Sequence, residues 1–448
     1  MERTVTEELK KWKSTPGRKP LVLKGARQVG KTYALEEFGR VHFRKYHYMD
    51  LRGNKKIHSI FKDTYDPFEI IRQLEFVQKI QININEDLLI FDEIQDCKGA
   101  ITSLKYFQKE MNGLALVAAG SHLGLIKNEE SFPVGKVNFL YMFPMNFEEF
   151  LLAVDKQAYG EYMSYSIDDP SVLPEVIHKR LLELMRYYFI TGGLPEVVDD
   201  FISLYSEDEK KALEKVRKRQ KELVEGYKAD FSKYSGTVNA NHIHNVFESV
   251  PAQLSRSFDE EVSKFIFKGV IPNQKGYDRI SGPLGWLAGA RLCIKSMIAS
   301  RAEHPLRSYC QENRFKVYLF DMGILNCMLN TPYQAILAES LGSYKGFLAE
   351  NFVAQELYSS LNTDLIAWSK GRAEIEFLIS RAEDIIPLEV KSSNRSRRSR
   401  SLDSFVNRHR PKRAYKLSSQ NFGMHEKRGL MTLPIYFCRK LVESDQED

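Results

Sequence analysis

Eight consecutive residues near the amino end combine two glycines with a lysine and a threonine: Gly25-Ala-Arg-Gln-Val-Gly-Lys-Thr32. They fit the pattern GxxxxGK[ST], directly after a short apolar run and directly before a helical pattern. Glycines let the backbone fold around a phosphate, and the N–H groups at a helix start favour negative charge. Lys31 is expected to reach the β- and γ-phosphates and Thr32 to bind Mg²⁺. The predicted nucleotide-binding residues are Gly25, Ala26, Arg27, Gln28, Val29, Gly30, Lys31 and Thr32.

An acidic pair follows the apolar run Leu88-Leu-Ile-Phe91 about 60 residues later. Asp92 is predicted to hold the Mg²⁺ shell and Glu93 to polarise the water that attacks the γ-phosphate. Ser121, just past another apolar run, is predicted to contact the γ-phosphate or orient this water. A helix cap explains the acidic pair or Ser121 equally well when each is taken alone. Together with the glycine-rich loop, the pair predicts ATP and Mg²⁺ as cofactors.

Four carboxylates and a lysine cluster in the last hundred residues. Glu374 and Glu376 alternate along one predicted strand, and Glu389 and Lys391 share a face of the next. With Glu350, such a set can hold a second Mg²⁺ and activate water for phosphodiester attack. The predicted metal ligands are Glu350, Glu376 and Glu389, and the predicted catalytic groups are Glu376, Glu389 and Lys391. An amphipathic hairpin with a solvated charged face is the alternative.

The elements that must position these groups follow from hydrophobic periodicity. Through the first 150 residues, strand-like runs alternate with helical patterns, including one over Phe61–Gln81, which predicts a parallel sheet covered on both faces. Residues 147–225 are predicted mainly helical, and residues 240–300 as short helices followed by an extended stretch. Beyond about residue 314 the pattern becomes mixed α/β again, with predicted strands that include Glu374–Ile379 and Leu433–Phe437.

Charge is distributed unevenly along the 448 residues. The whole chain carries only +6, but residues 391–416 hold ten lysines and arginines against Asp403 alone, which leaves −3 on the rest. Such a stretch is typical of a surface that binds a phosphate backbone. Nucleic acid is therefore a predicted partner, with an ordinary solvated face as the alternative.

Composition excludes several classes of protein. The five cysteines lie far apart, with no CxxC pair, so neither a zinc site nor a disulfide framework is expected. The chain starts without a signal-peptide pattern, and no apolar run approaches the length of about 20 residues that spans a bilayer. A cytoplasmic protein without membrane contact is expected.

The motifs along the chain resemble those of bacterial and archaeal AAA-type ATPases that carry an uncharacterised C-terminal domain. Beyond the groups above, the matching segments are Pro144–Phe150, Gly192–Glu196, Phe315–Leu325, Gly346–Asn351 and Pro387–Lys391. The resemblance implies self-association and an α/β fold class: a P-loop NTPase parallel sheet, a helical lid, a winged-helix segment and a restriction-endonuclease-like PD-(D/E)xK domain. The expected bounds are residues 1–150, 151–235, 236–305 and 306–448. The chain departs from the family pattern at Glu376, where aspartate is usual.

The predicted function is therefore an ATP-hydrolysing AAA-type ATPase coupled to a nuclease-like domain that engages nucleic acid. The alternative is a regulatory or protein-remodelling ATPase whose C-terminal domain is a non-cutting interaction module.

Overall fold

Two units make up the computed structural model, Met1–Phe143 and Pro144–Asp448. The structure describes residues 1–121, 133, 135–235, 237–256, 264–338, 345–381, 384–391, 400–425 and 429–443. No helix within these described ranges is long and apolar enough to cross a bilayer.

The first unit is built on five parallel strands in the order β2-β3-β4-β1-β5. All five residues of β3 are buried, because helices cover a parallel sheet on both faces. The predicted parallel sheet is thus confirmed. The strands are β1 Leu21–Gly25, β2 Tyr46–Asp50, β3 Leu88–Asp92, β4 Ala115–Gly120 and β5 Asn138–Met142.

Among the described residues of this unit, α1 Val5–Ser14 precedes the sheet, and the helices between its strands are α2 Lys31–His42, α3 Lys55–Asp63, α4 Pro67–Gln78 and α5 Lys98–Glu110. The single helical segment predicted over Phe61–Gln81 is wrong, since α3 ends inside it at Asp63 and α4 begins at Pro67. Asp66 caps α4, its side chain accepting a hydrogen bond from the Phe68 N–H at 2.9 Å. Pro67 is the first helical residue and disfavours a helical conformation at Asp66.

The second unit begins with the helical region that the sequence predicts. Asn146 opens α6 with a capping box, because its side chain and that of Glu149 each bind the other residue's backbone N–H. Its first seven helices are α6 Phe147–Val154, α7 Lys156–Ser164, α8 Glu175–Thr191, α9 Pro195–Tyr205, α10 Glu209–Ser235, α11 Thr237–Arg256 and α12 Tyr277–Gly289.

Two sheets follow in this unit, and the chain runs through both of them. One has the order β7-β6-β8-β9 and the other the order β10-β11-β12-β14-β13. The strands are β6 Cys293–Ala299, β7 Cys310–Leu319, β8 Leu365–Lys370, β9 Ala373–Ile375, β10 Phe377–Arg381, β11 Asp384–Val390, β12 Ala414–Ser418, β13 Gly423–His425 and β14 Leu430–Pro434. The remaining helices are α13 Met322–Met328, α14 Tyr333–Leu337, α15 Lys345–Leu361, α16 Arg400–His409 and α17 Lys440–Glu443.

Pairing between strands changes three of the predicted elements. The continuous strand predicted over Glu374–Ile379 is wrong, because β9 pairs with β8 while β10 pairs with β11, and Glu376 lies between them. Strand β6 falls in the predicted winged-helix segment, yet it pairs with β8 as well as with β7. Within the strand predicted over Leu433–Phe437, β14 ends at Pro434 and the last three residues form a 3₁₀ turn.

Helix α2 packs closely on β2 at Gly39. A Cβ atom there would lie 2.6 Å from the Cβ of Tyr46, whereas a Cβ on Gly160 in α7 would have no neighbour within 4 Å. We expect Gly39→Ala to lower the free energy of unfolding of the first unit by about 1–3 kcal/mol through overpacking. Gly160→Ala, the control, should stabilise the second unit by about 0.5–1 kcal/mol. Urea denaturation followed by tryptophan fluorescence measures both, and equal effects would contradict the packing explanation.

Candidate functional site

The predicted nucleotide-binding groups meet at one edge of the parallel sheet. Strand β4 lies between β1 and β3, with Lys24 beside Gly120 and Phe91 beside Ala118. The carboxyl ends of the three strands are therefore level. The glycine-rich loop, the acidic pair and Ser121 each follow one of these ends, which is where ligands bind in open α/β sheets.

The loop between β1 and α2 has the backbone geometry of a phosphate cradle. Gln28 and Gly30 adopt left-handed conformations, with φ of 66° and 91°, and glycine takes up the latter without strain. A side chain at Gly25 would collide with the carbonyl oxygen of Met142. Arg3 fixes the loop from outside, since its guanidinium donates to the carbonyl oxygen of Val29 at 2.8 Å.

Lys31 begins α2, and its ammonium group is buried. Nζ donates to the carbonyl oxygens of Gly25 at 3.0 Å and Ala26 at 2.7 Å. Burial lowers the pKa of Lys31 to about 8, although Asp92 opposes this shift. The ammonium group is held among neutral carbonyls at a helix start, an arrangement that favours a bound anion.

Thr32 and Asp92 form the pair expected of a magnesium site. The Thr32 hydroxyl donates to Asp92 Oδ2 at 2.7 Å, and the Tyr48 hydroxyl donates to the same oxygen at 2.8 Å. A hydroxyl and a carboxylate are the oxygen ligands with which proteins hold Mg²⁺ next to nucleotide phosphates. These residues fit the ion that the sequence predicts.

Glu93 follows Asp92 at the end of β3 in a left-handed conformation with φ of 49°. Its backbone N–H donates to Asp92 Oδ1 at 2.8 Å. Its carboxylate forms an ion pair with Arg52 and accepts a hydrogen bond from Gln95 at 2.5 Å. Ser121 is buried immediately after β4, and its predicted role at the γ-phosphate stays a prediction.

The C-terminal carboxylates gather in the second unit where the chain passes from one sheet to the other. Lys391 Nζ lies 3.1 Å from Glu389 Oε1, and Glu376 Oε2 accepts the N–H of Val390 at 3.1 Å. Burial raises the pKa of Glu376 to about 8, while Lys391 opposes the shift and Glu350 adds to it. The structure thus brings together the predicted residues Glu376, Glu389 and Lys391.

The predicted second metal site stays a prediction. Among the described residues, no group of three or more His, Cys, Asp or Glu side chains is arranged to hold a metal ion. Glu350 forms an ion pair with Lys316 at 3.2 Å, and Glu374 pairs with the same lysine. Glu350 and Glu374 therefore share one buried ammonium group.

Comparison with known proteins decides the class of the first site. Residues 17–151 match the model of an AAA domain family. Residues 17–151 are an AAA-type P-loop domain. Residues 182–335 and 345–438 match two further families, each described as a domain of unknown function (DUF8612 and DUF4143). The predicted AAA-type ATPase domain is confirmed, whereas the restriction-endonuclease-like fold of the C-terminal region stays a prediction.

No curated protein sequence was found to match the chain. Solved structures show distant similarity. C. elegans PCH-2 is 10% identical with a TM-score of 0.31, covering 49% of this chain and 69% of that one. AMPPCP-bound DnaA from Aquifex aeolicus is 15% identical with a TM-score of 0.27, covering 62% and 73%. Aeropyrum pernix ORC1 in complex with DNA is 15% identical with a TM-score of 0.24, covering 74% and 92%. Scores this low do not establish a shared fold.

Several side chains at the two sites are not among the residues predicted from the sequence. In the first unit these are Arg3, Tyr48 and Arg52, and in the second unit they are Lys316 and Lys416. Lys416 is buried on β12 and is the register partner of Glu389. The period-two pattern of β2 places Tyr48 on a face of the sheet. Lys316 lies in the segment Phe315–Leu325 and Lys416 in the basic stretch 391–416, but neither pattern assigns them to the carboxylate cluster.

The lowered pKa of Lys31 predicts a pH-dependent nucleotide affinity for the AAA domain. Bound phosphates raise this pKa, because they stabilise the protonated form of Lys31. Above pH 8 most of the free protein has a neutral Lys31, so nucleotide binding is accompanied by uptake of a proton. From pH 7.5 to 9.0 the affinity for ADP should therefore fall roughly eightfold. Isothermal titration calorimetry measures it. Lys31→Arg, the control, stays charged throughout and should show a flat profile; an equally flat wild-type profile would contradict the prediction.

Proposed function

We propose that the AAA domain binds and hydrolyses ATP in the presence of Mg²⁺. The observation that carries this proposal is the 2.7 Å contact between Thr32 Oγ1 and Asp92 Oδ2, next to the buried ammonium group of Lys31. Thr32 and Asp92 would hold Mg²⁺, which supplies positive charge at the phosphates. Lys31 would exchange the carbonyl oxygens of its own loop for phosphate oxygens.

Glu93 is the proposed general base. Its carboxylate takes a proton from water while the water oxygen bonds to the γ-phosphorus. The bond from that phosphorus to the bridging oxygen breaks, and the products are ADP and inorganic phosphate. The ion pair with Arg52 competes with water for the Glu93 carboxylate and lowers its basicity, so the rate depends on how easily that pair separates.

Removing the base should separate binding from hydrolysis. We expect Glu93→Gln to lower ATP turnover by at least about 100-fold, because the amide cannot accept the proton, while nucleotide binding persists. Lys31→Ala should lose nucleotide binding or hydrolysis. Glu110→Gln, an exposed position at the end of α5, is the matched control and should keep the wild-type rate. Phosphate release measures turnover, and wild-type turnover by Glu93→Gln would refute the assignment.

Exposed arginine and lysine side chains favour a second function, the binding of nucleic acid by the second unit. Five are exposed on α16 and in the loop that follows it: Arg400, Arg408, Arg410, Lys412 and Arg413. Lys391 and Lys416 belong to the internal carboxylate cluster, and Arg395, Arg397 and Arg398 lie outside the described residues. We propose that this surface binds a phosphate backbone without cleaving it, as the alternative interpretation of the C-terminal domain has it.

Salt dependence tests this surface. Each phosphate contact contributes about 0.9 to the slope of log K against log salt for duplex DNA. Arg408→Ala with Arg410→Ala should therefore reduce that slope by about 2 in fluorescence anisotropy titrations. Lys10→Ala with Lys11→Ala, two exposed lysines of α1 paired with Glu7 and Glu8, is the control. If DNA and RNA bind neither wild type nor control, the regulatory or protein-remodelling function is favoured instead.

A further inference from the structure

The carboxylate cluster of the second unit contains a buried lysine at its centre. Lys316 lies on β7, and only 5% of its side chain is exposed. Its Nζ lies 3.2 Å from Glu350 Oε2 and forms an ion pair with Glu374. The Tyr318 hydroxyl donates to the same oxygen of Glu350 at 3.1 Å. One ammonium group thus joins α15 to β9, as a bound cation would.

The other two carboxylates each have one partner within the chain. Glu389 Oε1 lies 3.1 Å from the Lys391 ammonium group, and Glu376 Oε2 accepts the N–H of Val390. Glu389 Oε2 is buried without a hydrogen bond. That oxygen offers a divalent ion one protein ligand, and among the described residues no group of three or more His, Cys, Asp or Glu side chains is arranged to supply others.

A divalent ion would meet opposing charge in this cluster. To reach Glu350 or Glu374 it would have to come within a few ångströms of the Lys316 ammonium group, since both carboxylates already touch it. Displacing Lys316 instead would leave a buried ammonium group without its partners, which is strongly unfavourable. The residues present therefore do not fit the metal that the resemblance implies.

We propose that the Lys316 ammonium group is the resident cation of the cluster formed by Glu350, Glu374, Glu376 and Glu389, and that this cluster binds no divalent metal. Nucleic acid binding by the second unit, where it occurs, then needs no divalent ion. The inference concerns the cluster alone and does not depend on ATP hydrolysis.

Titration with Mn²⁺ in the absence of nucleotide tests the proposal. All proteins carry Asp92→Asn to weaken the metal site of the AAA domain, and free Mn²⁺ is followed by electron paramagnetic resonance. The wild-type cluster should bind no Mn²⁺. Neither Glu350→Gln nor Glu389→Gln should therefore reduce the amount of Mn²⁺ that the protein binds. Lys316→Met should gain one Mn²⁺ bound at least tenfold more tightly, and adding Glu350→Gln should abolish the gain.

Lys295→Met is the matched control. Lys295 lies on the neighbouring strand β6, with its ammonium group 4.4 Å from the centre of the Phe315 ring, and its loss should create no Mn²⁺ site. Wild-type Mn²⁺ binding that falls tenfold in Glu389→Gln or Glu350→Gln would overturn the proposal, as would a folded Lys316→Met variant that gains nothing. Should Lys316→Met not fold, the comparison of wild type with the two glutamine variants still decides, since it does not involve that variant.

The ATP turnover assay and the Mn²⁺ titration test the two proposals independently. Turnover by Glu93→Gln concerns only the AAA domain, whereas the Mn²⁺ titration uses no nucleotide and concerns only the carboxylate cluster. A wild-type cluster that binds Mn²⁺ would leave the ATPase proposal intact and revive the predicted nuclease chemistry of Glu376, Glu389 and Lys391.

Discussion

A buried ammonium group needs partners, and the kind of partner determines what each site can do. Lys31 donates to the neutral carbonyls of Gly25 and Ala26, so its positive charge is only partly compensated and an anion that reaches it is stabilised. Lys316 lies between two carboxylates, whose combined negative charge exceeds its own positive charge, so no positive charge is left to attract an anion. The same residue type in the same buried condition thus makes a receptive site in the first unit and a closed one in the second.

Several segments that carry the family resemblance stabilise the fold of the second unit. Asp321 is completely buried and accepts backbone N–H groups from Gly193 at 2.7 Å and Ile324 at 2.9 Å. Gly193 approaches Met145 so closely that a side chain there would collide with it. Asn146 and Glu149 then cap the next helix. The segments at 144–150, 192–196 and 315–325 therefore form one packed junction that stabilises the second unit.

The parts of the molecule that could be predicted are those determined by local sequence. The phosphate loop, α2 and β3 follow from short patterns, and Asp92 lies where an apolar strand ends at the sheet edge. Sequence alone also contained the signal for the break before α4, since Asp66 and Pro67 are strong helix-start residues. The ion pairs could not be predicted, because Arg52 and Lys316 reach their partners only through tertiary packing. For the same reason Glu374 and Glu376, expected on one face, are separated by strand pairing.

The position of Arg52 also constrains how the first unit can work. The Asp50 carboxylate accepts the backbone N–H of Arg52 at 2.8 Å, which fixes the turn directly after β2. Strands β2 and β3 are neighbours in the sheet, with Asp50 beside Asp92. This pairing positions the guanidinium of Arg52 next to Glu93. The group placed to activate water is therefore restrained by the same strands that position it. If Glu93 is the base proposed above, its ion pair with Arg52 competes with water for the carboxylate, so the conformation of the turn after β2 bears on the proposed chemical step.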